Sequence, residues 1–297
     1  MPHAERGQTG DGFREQLLAR LRNRALRANV SAQRLQQRIV FERLLARLTD
    51  WDDWTLKGGF ALELRYGLEN RPTRDVDLRV DAPIEAALAR LRTALTAEAS
   101  DRFTYEVGTV HPLDDVLGGG ARVQVSVLLA GAPFGRFHLD VSREAALVDE
   151  PDILSGSDLL LFAGIEPVLF PVYPIIQHLA EKLHAYTMPR SLENTRVKDL
   201  LDLVMIASRE QIAGTRLSES VNATFAARGT HPLPSALPQP PGNWAGAYHR
   251  LAAEAAGLTE RELTAAFLVV ERFWQPVLDG QANGLRWEPG AQTWAET

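Results

Sequence analysis

The chain has 297 residues, of which 45% are apolar and 24% charged, and its formal charge is −6. This is the composition of a globular protein with one large domain or two moderate ones. Cysteine is absent, which excludes a disulfide framework, an iron–sulfur cluster, a thiolate zinc site and a cysteine nucleophile. No apolar run is long enough to span a membrane, and the N-terminal residues carry charges where a signal peptide needs an apolar stretch. We therefore expect a cytoplasmic protein with no membrane partner.

The basic residues are unevenly distributed along the chain. Residues 1–50 hold ten arginines against five acidic residues, a surplus that could bind the phosphate backbone of a nucleic acid. The same arginines could instead merely solvate the outer faces of amphipathic helices. Lysine occurs three times, at Lys57, Lys182 and Lys198, against 29 arginines. Each lysine is therefore a candidate for a position that needs a compact ammonium group.

The order of the predicted elements indicates an α+β fold. Apolar periodicity predicts helices over 13–28, 31–49 and 83–97, strands over 54–59, 74–80, 103–110, 121–130 and 135–142, and then helices over 174–188, 196–209, 217–227, 244–256 and 259–278. Five prolines lie between positions 232 and 241. They predict an irregular linker or surface loop over 231–242, because proline interrupts regular structure.

Three aspartates on predicted strands are candidate metal ligands. Asp75 and Asp77 are two residues apart, so their carboxylates point to the same face of the strand. Paired carboxylates of this kind suit a hard divalent cation such as Mg²⁺. Asp140 lies within a largely apolar strand and needs a partner there. The alternatives are solvation of an outer strand face for Asp75 and Asp77, and a structural hydrogen-bonded carboxylate for Asp140.

Two further groups of residues are candidates for a functional site. Lys57, Gly58 and Gly59 end one strand just before a short helix, and free N–H groups at a helix start favour phosphate. The alternative is a tight turn that binds nothing. In a later helix Asp199 and Asp202 are three residues apart and share a face. Asp199 could instead only complement the helix dipole, and Lys182, in the helix before it, could be an exposed surface side chain.

Together these features resemble the AbiEii/AbiGii toxin nucleotidyltransferases, a family of the polymerase-β-type superfamily that includes the MenT-like toxins. The matching stretches, in the family's order, are LKGGFALELR (56–65), RPTRDVDLRV (71–80), RFHLDVS (136–142), LAEKLHAYT (179–187) and RVKDLLDL (196–203). The resemblance implies N-terminal helices (1–50) that pack on a nucleotidyltransferase core with a mixed sheet (51–165), followed by a helical C-terminal region (166–297).

The resemblance also implies roles for the acidic and glycine residues. Asp75, Asp77 and Asp140 would bind Mg²⁺ or Mn²⁺, with Asp140 near the attacking hydroxyl group and acting in catalysis. Gly58 and Gly59, with Lys57, would bind the nucleotide.

In the later motifs, Lys182 would reach the phosphates of the NTP. Asp199 would be the catalytic acidic position, and Asp202 the alternative that helps to bind the nucleotide. The wider superfamily usually has Ser or Thr after the second glycine, where this sequence has Phe60.

The reaction implied by the resemblance transfers a nucleotide monophosphate from an NTP to an RNA acceptor, specifically a tRNA 3′ end, and releases pyrophosphate. It also implies a toxin that a separately encoded antitoxin protein neutralises. Two alternatives stay open. The acceptor could be a protein or small-molecule hydroxyl, or the chain could be a catalytically inactive member that binds a nucleotide or a partner, as Phe60 would suggest.

Overall fold

A computed structural model describes residues 10–113, 119–144, 147, 149–189 and 196–296. The chain forms two compact units. Unit 1 comprises Met1–Leu64, Thr73–Glu144 and Ile153–Val172, and unit 2 comprises Arg65–Pro72, Ala145–Asp152 and Tyr173–Thr297. Residues 1–9 of the predicted N-terminal segment, and residue 297, lie outside the described residues. In the part of the chain that is described, no helix is both long and apolar enough to cross a membrane.

Unit 1 is built around a mixed sheet. Its helices are α1 (Gly10–Ala28), α2 (Ala32–Leu45), α3 (Gly58–Tyr66) and α4 (Ile84–Thr96), and its strands are β1 (Trp54–Lys57), β2 (Asp75–Val80), β3 (Phe103–Pro112), β4 (Gly120–Leu129), β5 (Ala132–Arg143), β6 (Asp152–Ser155) and β7 (Leu169–Val172). The strand order is β3-β4-β5-β2-β1-β7-β6. Strand β2 is antiparallel to β1 and parallel to β5, so β2 occupies the middle of the sheet.

Alternation along the central strands separates an apolar face of this sheet from a polar one. On β5, Phe137, Leu139 and Val141 are buried, whereas His138 is exposed and Asp140 is half-buried. Phe41 of α2 packs edge-on against Phe137, with ring centroids 4.9 Å apart. The polar residues of β2, β4 and β5 are thereby left on the opposite face, as the period of two along a strand requires.

The arginines of α2 and of the turn after it are internal, although the sequence suggested a surface role for them. Asp101 is 2% exposed and binds the guanidinium groups of Arg43 and Arg47. Arg34 binds Glu63, and Arg38 binds Glu42. Arg34, Arg43 and Arg47 hold α2 and the turn after it to the rest of their unit, because a buried carboxylate needs a paired cation, whereas Arg38 pairs within α2. Among the described residues of the N-terminal segment, the exposed arginines are Arg20, Arg22, Arg24 and Arg27 of α1.

Unit 2 is mainly helical. It contains α5 (Ile175–Thr187), α6 (Val197–Ala207), α7 (Gly214–Arg228), α8 (Ala245–Glu254) and α9 (Leu263–Leu278), and a small sheet of β8 (Ile212–Ala213), β9 (Leu285–Glu288) and β10 (Thr293–Glu296). Helix α6 is buried from Leu200 to Ala207 and packs against α5 and α9. The proline-rich segment 231–242 has neither helix nor strand before Gly242, and it is tied to α5 because the Tyr186 hydroxyl donates to the Pro238 carbonyl.

The predicted α+β class is confirmed. The prediction of a strand over 54–59 is wrong at its end, because Gly58 has a φ of +69° and begins α3. The helix predicted from 259 begins at Leu263, after Glu262 in an extended conformation. The expectation that the chain is mostly helical after β5 missed five short strands, β6 to β10. Strands of two to four residues carry too little periodicity to be recognised without their pairing partners.

Candidate active site

Strand pairing in unit 1 brings the three candidate metal ligands side by side. In the parallel pair of β2 and β5, Asp77 lies opposite Asp140, and Asp75 lies opposite His138. Val76 and Leu78 are buried on the other face of β2. The three carboxylates therefore share the polar face of the sheet, as the spacing of Asp75 and Asp77 predicted. Asp140 lies beside Asp77 because β2 and β5, which are far apart in sequence, pair in this register.

Asp140 has a partner that the sequence did not indicate. Arg122 lies opposite Asp140 in the antiparallel pair of β4 and β5. Its Nε donates to Asp140 Oδ1 at 2.8 Å and its Nη2 donates to Asp140 Oδ2 at 2.6 Å. This bidentate bond raises the pKa of Arg122, and the nearby Asp75 and Asp77 carboxylates add to the increase. The guanidinium thus lies in the field of all three acidic residues.

Gly58 borders the carboxylate of Asp77 directly. A Cβ atom added at Gly58 would lie 2.6 Å from Asp77 Cγ and still closer to Oδ2. Gly58 also has a left-handed φ of +69°, which glycine adopts more readily than residues that have a Cβ atom. The glycine is therefore required by its conformation and by the close approach of the second metal-ligand candidate.

Lys57 and Phe60 flank the glycine pair, and both contribute to packing within unit 1. Lys57 Nζ forms an ion pair with Glu144 at 2.5 Å, and its side chain is 19% exposed. Phe60 is fully buried, with its ring centroid 5.0 Å from that of Phe41. The position that usually carries Ser or Thr thus points into the apolar core here, so a hydroxyl at this position would not face the polar side of the sheet.

The remaining candidates belong to unit 2, where they form a buried ionic network. Lys182 Nζ donates to Asp202 Oδ2 at 2.5 Å and to Asp199 Oδ1 at 3.3 Å. Arg71 binds both oxygens of Asp202, at 2.8 and 2.7 Å. Asp202 is fully buried and Lys182 is 7% exposed, whereas the side chain of Asp199 is 14% exposed.

The ion pairs of this network keep Asp202 and Lys182 charged. Burial opposes ionisation of Asp202, but the charges of Arg71 and Lys182 outweigh it and lower the pKa of Asp202 to about 2. Burial likewise opposes the charge of Lys182, yet Asp202 and Asp199 raise its pKa. Asp202 is fully engaged by the two cations and acts as their anchor. Asp199 is the more accessible carboxylate of the pair.

The carboxylates of unit 1 have the right chemistry for a hard divalent cation. Asp75 is 40% exposed at its side chain, and Asp75 and Asp77 offer oxygen donors on one face, which Mg²⁺ and Mn²⁺ prefer. In the described ranges, no group of three or more His, Asp and Glu side chains has the geometry of a preformed metal site. Both oxygens of the third carboxylate, Asp140, accept hydrogen bonds from Arg122 of β4.

Sequence reasoning missed two residues with evident roles, Arg122 and Arg71. Arg122 occupies a polar position in the alternating run ARVQVSVLLA, a signal that becomes informative when the register against Asp140 is known. Arg71 lies in the stretch RPTRDVDLRV, but its partner Asp202 is 131 residues away in sequence. Each candidate group is therefore completed by an arginine that long-range pairing supplies.

Comparisons with known proteins agree with this picture. The sequence profile of the family described as "Nucleotidyl transferase AbiEii toxin, Type IV TA system" matches residues 39–272. MenT4, a nucleotidyltransferase toxin from Mycobacterium tuberculosis H37Rv, has a similar fold, with a TM-score of 0.55 and 18% identity over 91% of this chain and 97% of that chain.

A putative nucleotidyltransferase from H. pylori has a TM-score of 0.48 and 19% identity over 85% of this chain and 97% of that chain. No curated protein sequence matches the chain. The family profile covers most of the chain, and the resemblance seen in the sequence is confirmed. The chain belongs to the AbiEii family of nucleotidyltransferase toxins of type IV toxin–antitoxin systems.

Proposed function

We propose that this nucleotidyltransferase uses Mg²⁺ or Mn²⁺ to transfer a nucleotide monophosphate from an NTP to an RNA acceptor, specifically the 3′ end of a tRNA. The observation that carries the proposal is the alignment of Asp75, Asp77 and Asp140 on one face of two paired strands. Its setting would be the cytoplasm, where a cognate antitoxin protein would counteract the toxin.

The proposed step forms one bond and breaks another at the α-phosphorus. The acceptor hydroxyl oxygen bonds to the α-phosphorus, the bond from that phosphorus to the bridging oxygen breaks, and pyrophosphate leaves. When bound, the divalent cation would supply charge neutralisation for the triphosphate and the departing pyrophosphate. Asp75, Asp77 and Asp140, once Asp140 is released from Arg122, would hold this cation. Asp140, near the attacking hydroxyl, would also accept its proton.

The other candidate residues would bind and orient the nucleotide. The backbone N–H groups of Gly58 and Gly59, at the start of α3, suit phosphate oxygens. Lys57 would contribute a compact cation to the same phosphates after exchanging its ion pair with Glu144. The candidates of unit 2 are also part of the proposal: Lys182 would bind phosphate, Asp199 would be a catalytic carboxylate, and the buried Asp202 would support nucleotide binding by holding Lys182 in place.

The exposed arginines of α1 support an RNA acceptor. Arg22 and Arg27 make no ion pair with any residue that the structure describes. Arg24 is 3.8 Å from Asp158, and Arg20 stacks 4.4 Å over the ring of Phe162. Arg20, Arg24 and Arg27 follow one another at intervals of four and three residues and so share one face of α1. Such a row suits a phosphate backbone, and binding through it would weaken as salt concentration rises, because bound counterions are released.

A labelled-nucleotide transfer assay tests the proposal. The purified protein is incubated with Mg²⁺ or Mn²⁺, with each of the four labelled NTPs in turn, and with total tRNA. Asp75→Asn and Asp77→Asn remove one ligand charge each at constant size. Asp52→Asn removes an exposed carboxylate of the same unit, before β1 and outside the proposed site, and serves as the matched control.

Label that reaches tRNA with the wild type and Asp52→Asn, but with neither β2 variant, is the expected result, and it names the nucleotide. Label on protein in place of tRNA would overturn the RNA acceptor and favour a protein hydroxyl. A folded protein that transfers no label to any acceptor would overturn the catalytic proposal and favour a binding role.

A further inference from the structure

The third carboxylate of the polar sheet face, Asp140, has an acidic neighbour on one side and a basic neighbour on the other. Asp140 is opposite Asp77 on one side, across the β2–β5 pair, and opposite Arg122 on the other, across the β4–β5 pair. Adjacent strands are about 4.8 Å apart, so a rotation of the Asp140 side chain is enough to exchange one neighbour for the other. In the structure Asp140 is turned toward Arg122.

The bond between them uses the whole carboxylate. Arg122 donates from Nε and Nη2, one nitrogen to each oxygen of Asp140. A planar guanidinium matches a carboxylate in this bidentate arrangement, and a metal ion that approaches from the side of Asp77 meets oxygens that are already engaged. Arg122 therefore neutralises the Asp140 carboxylate with a permanent positive charge, as a bound divalent cation would.

The exposure of the two side chains makes this bond reversible. Asp140 is 14% exposed at its side chain, whereas Arg122 is 44% exposed. The guanidinium can therefore swing into solvent and regain hydration, at a cost typical of an exposed ion pair and not of a buried one. Asp202 of unit 2, in contrast, is fully buried, and its partners Arg71 and Lys182 are only 6% and 7% exposed.

We propose that Arg122 is a built-in counter-cation of Asp140, which a divalent cation must displace before Asp140 can join the metal-binding carboxylates. Arg122 is a positioning residue in this arrangement: it keeps the three clustered carboxylates compatible with one another in the absence of metal, and it sets the metal concentration at which they assemble. The proposal rests on the proposed function in one respect, namely that these carboxylates bind a divalent cation.

The same face of the sheet offers a matched control. Arg136 lies on β5, two residues before His138, and is exposed. It makes no ion pair with the described part of the chain. Arg136→Gln therefore removes one positive charge from this face without touching the bond to Asp140, whereas Arg122→Gln removes both the charge and the bond.

The test measures Mn²⁺ binding to the full chain without nucleotide, by the loss of the free-ion electron paramagnetic resonance signal. Wild type, Arg122→Gln, Arg136→Gln, Asp140→Asn and the double variant Arg122→Gln/Asp140→Asn are compared at one ionic strength. We expect Arg122→Gln to lower the Kd of Mn²⁺ about fivefold, the factor that corresponds to loss of an exposed bidentate ion pair. Arg136→Gln should change it less than about twofold, because its charge is distant and screened.

The Asp140→Asn background shows whether tighter Mn²⁺ binding by Arg122→Gln comes from release of the Asp140 carboxylate or only from the loss of one positive charge. In the Asp140→Asn background the gain from Arg122→Gln should shrink to the value seen with Arg136→Gln, because no carboxylate is left to release. An unchanged Kd in Arg122→Gln would overturn the proposal. So would an equal gain in Arg136→Gln, or a full gain that persists with Asp140→Asn.

The nucleotide-transfer assay keeps this outcome distinct from failure of the proposed function. If the wild type transfers nucleotide and Arg122→Gln binds Mn²⁺ no more tightly, the counter-cation role is wrong and the enzyme assignment stands. If neither protein binds Mn²⁺ and neither transfers nucleotide, both proposals fail. A lower half-saturating Mg²⁺ concentration for transfer by Arg122→Gln would support the proposal independently.

Discussion

Replacement of Gly58 by alanine tests the link between the glycine turn and the metal-binding carboxylates. The new Cβ would lie 2.6 Å from Asp77 Cγ, so the carboxylate must move by about the width of a bond. The left-handed φ of +69° adds about 1–2 kcal/mol of backbone strain for a residue with a Cβ. Gly58→Ala thus combines a modest loss of stability with a displaced side chain of the proposed metal site.

Gly164 provides the matched control, because it has a φ of +71° and no atom within 4 Å of an added Cβ. Gly164→Ala should cost the same 1–2 kcal/mol of strain, which corresponds to a Tm lower by roughly 2–8 °C. We expect it to keep its transfer activity at a temperature where it is folded. Gly58→Ala should lose about 10²-fold in transfer activity, since a displacement of about 1 Å at a reacting group costs that much.

The assay is transfer of labelled nucleotide to tRNA, with thermal unfolding of both variants measured in parallel. Equal transfer by Gly58→Ala and Gly164→Ala would refute the reasoning, because the contact with Asp77 would then have no catalytic consequence. A Tm of Gly58→Ala far below that of Gly164→Ala would place the effect on folding. In that case the activity comparison is made at a temperature at which both variants are folded.

Three further predictions concern residues of the two units. Phe60→Ser should lower the free energy of unfolding by about 3–5 kcal/mol, because it empties a core position. It should leave NTP affinity unchanged, because the new hydroxyl faces the core. Tighter NTP binding by this variant in equilibrium titrations would contradict the second expectation. Asp202→Asn should lower the free energy of unfolding in urea by about 3–5 kcal/mol, since the buried cations Arg71 and Lys182 lose their shared carboxylate. Asp199→Asn should lower it clearly less, because Asp199 is more exposed. Equal losses in the two variants would contradict the anchor role of Asp202. Burial, with the charges of His231 and Arg228, lowers the pKa of His184 to about 4. Between about pH 6.5 and 4 the unfolded His184 binds a proton and the folded one does not, so the free energy of unfolding should fall as the pH drops through this range. The pKa difference corresponds to ~3 kcal/mol, which solvent screening close to the surface reduces to on the order of 2 kcal/mol; above pH 6.5 His184 adds no pH dependence. His184→Gln should remove this part of the pH dependence, and an unchanged difference between pH 7 and 5 would count against it.

Local pattern was sufficient to predict the elements that bear the proposed chemistry. The helix predicted over 31–49 is present as α2 and the turn after it, and the side chain of Ser31 caps it by accepting the N–H of Arg34. The alternation around Asp75 and Asp77 placed both carboxylates on one face of β2, and the strand is there. These predictions succeed because helix caps and strand faces depend on residues within a few positions of one another.

Tertiary structure decided how those elements are completed. The sequence showed Asp140 as a carboxylate that needs a partner, but the register of β4 against β5 selected Arg122. It showed Asp202 as a secondary candidate, whereas folding buried it between Arg71 and Lys182. Short strands such as β7 exist because a parallel neighbour, β1, supplies their hydrogen bonds. Partners far apart in sequence leave no local periodicity, so the packed chain alone determines which charges meet.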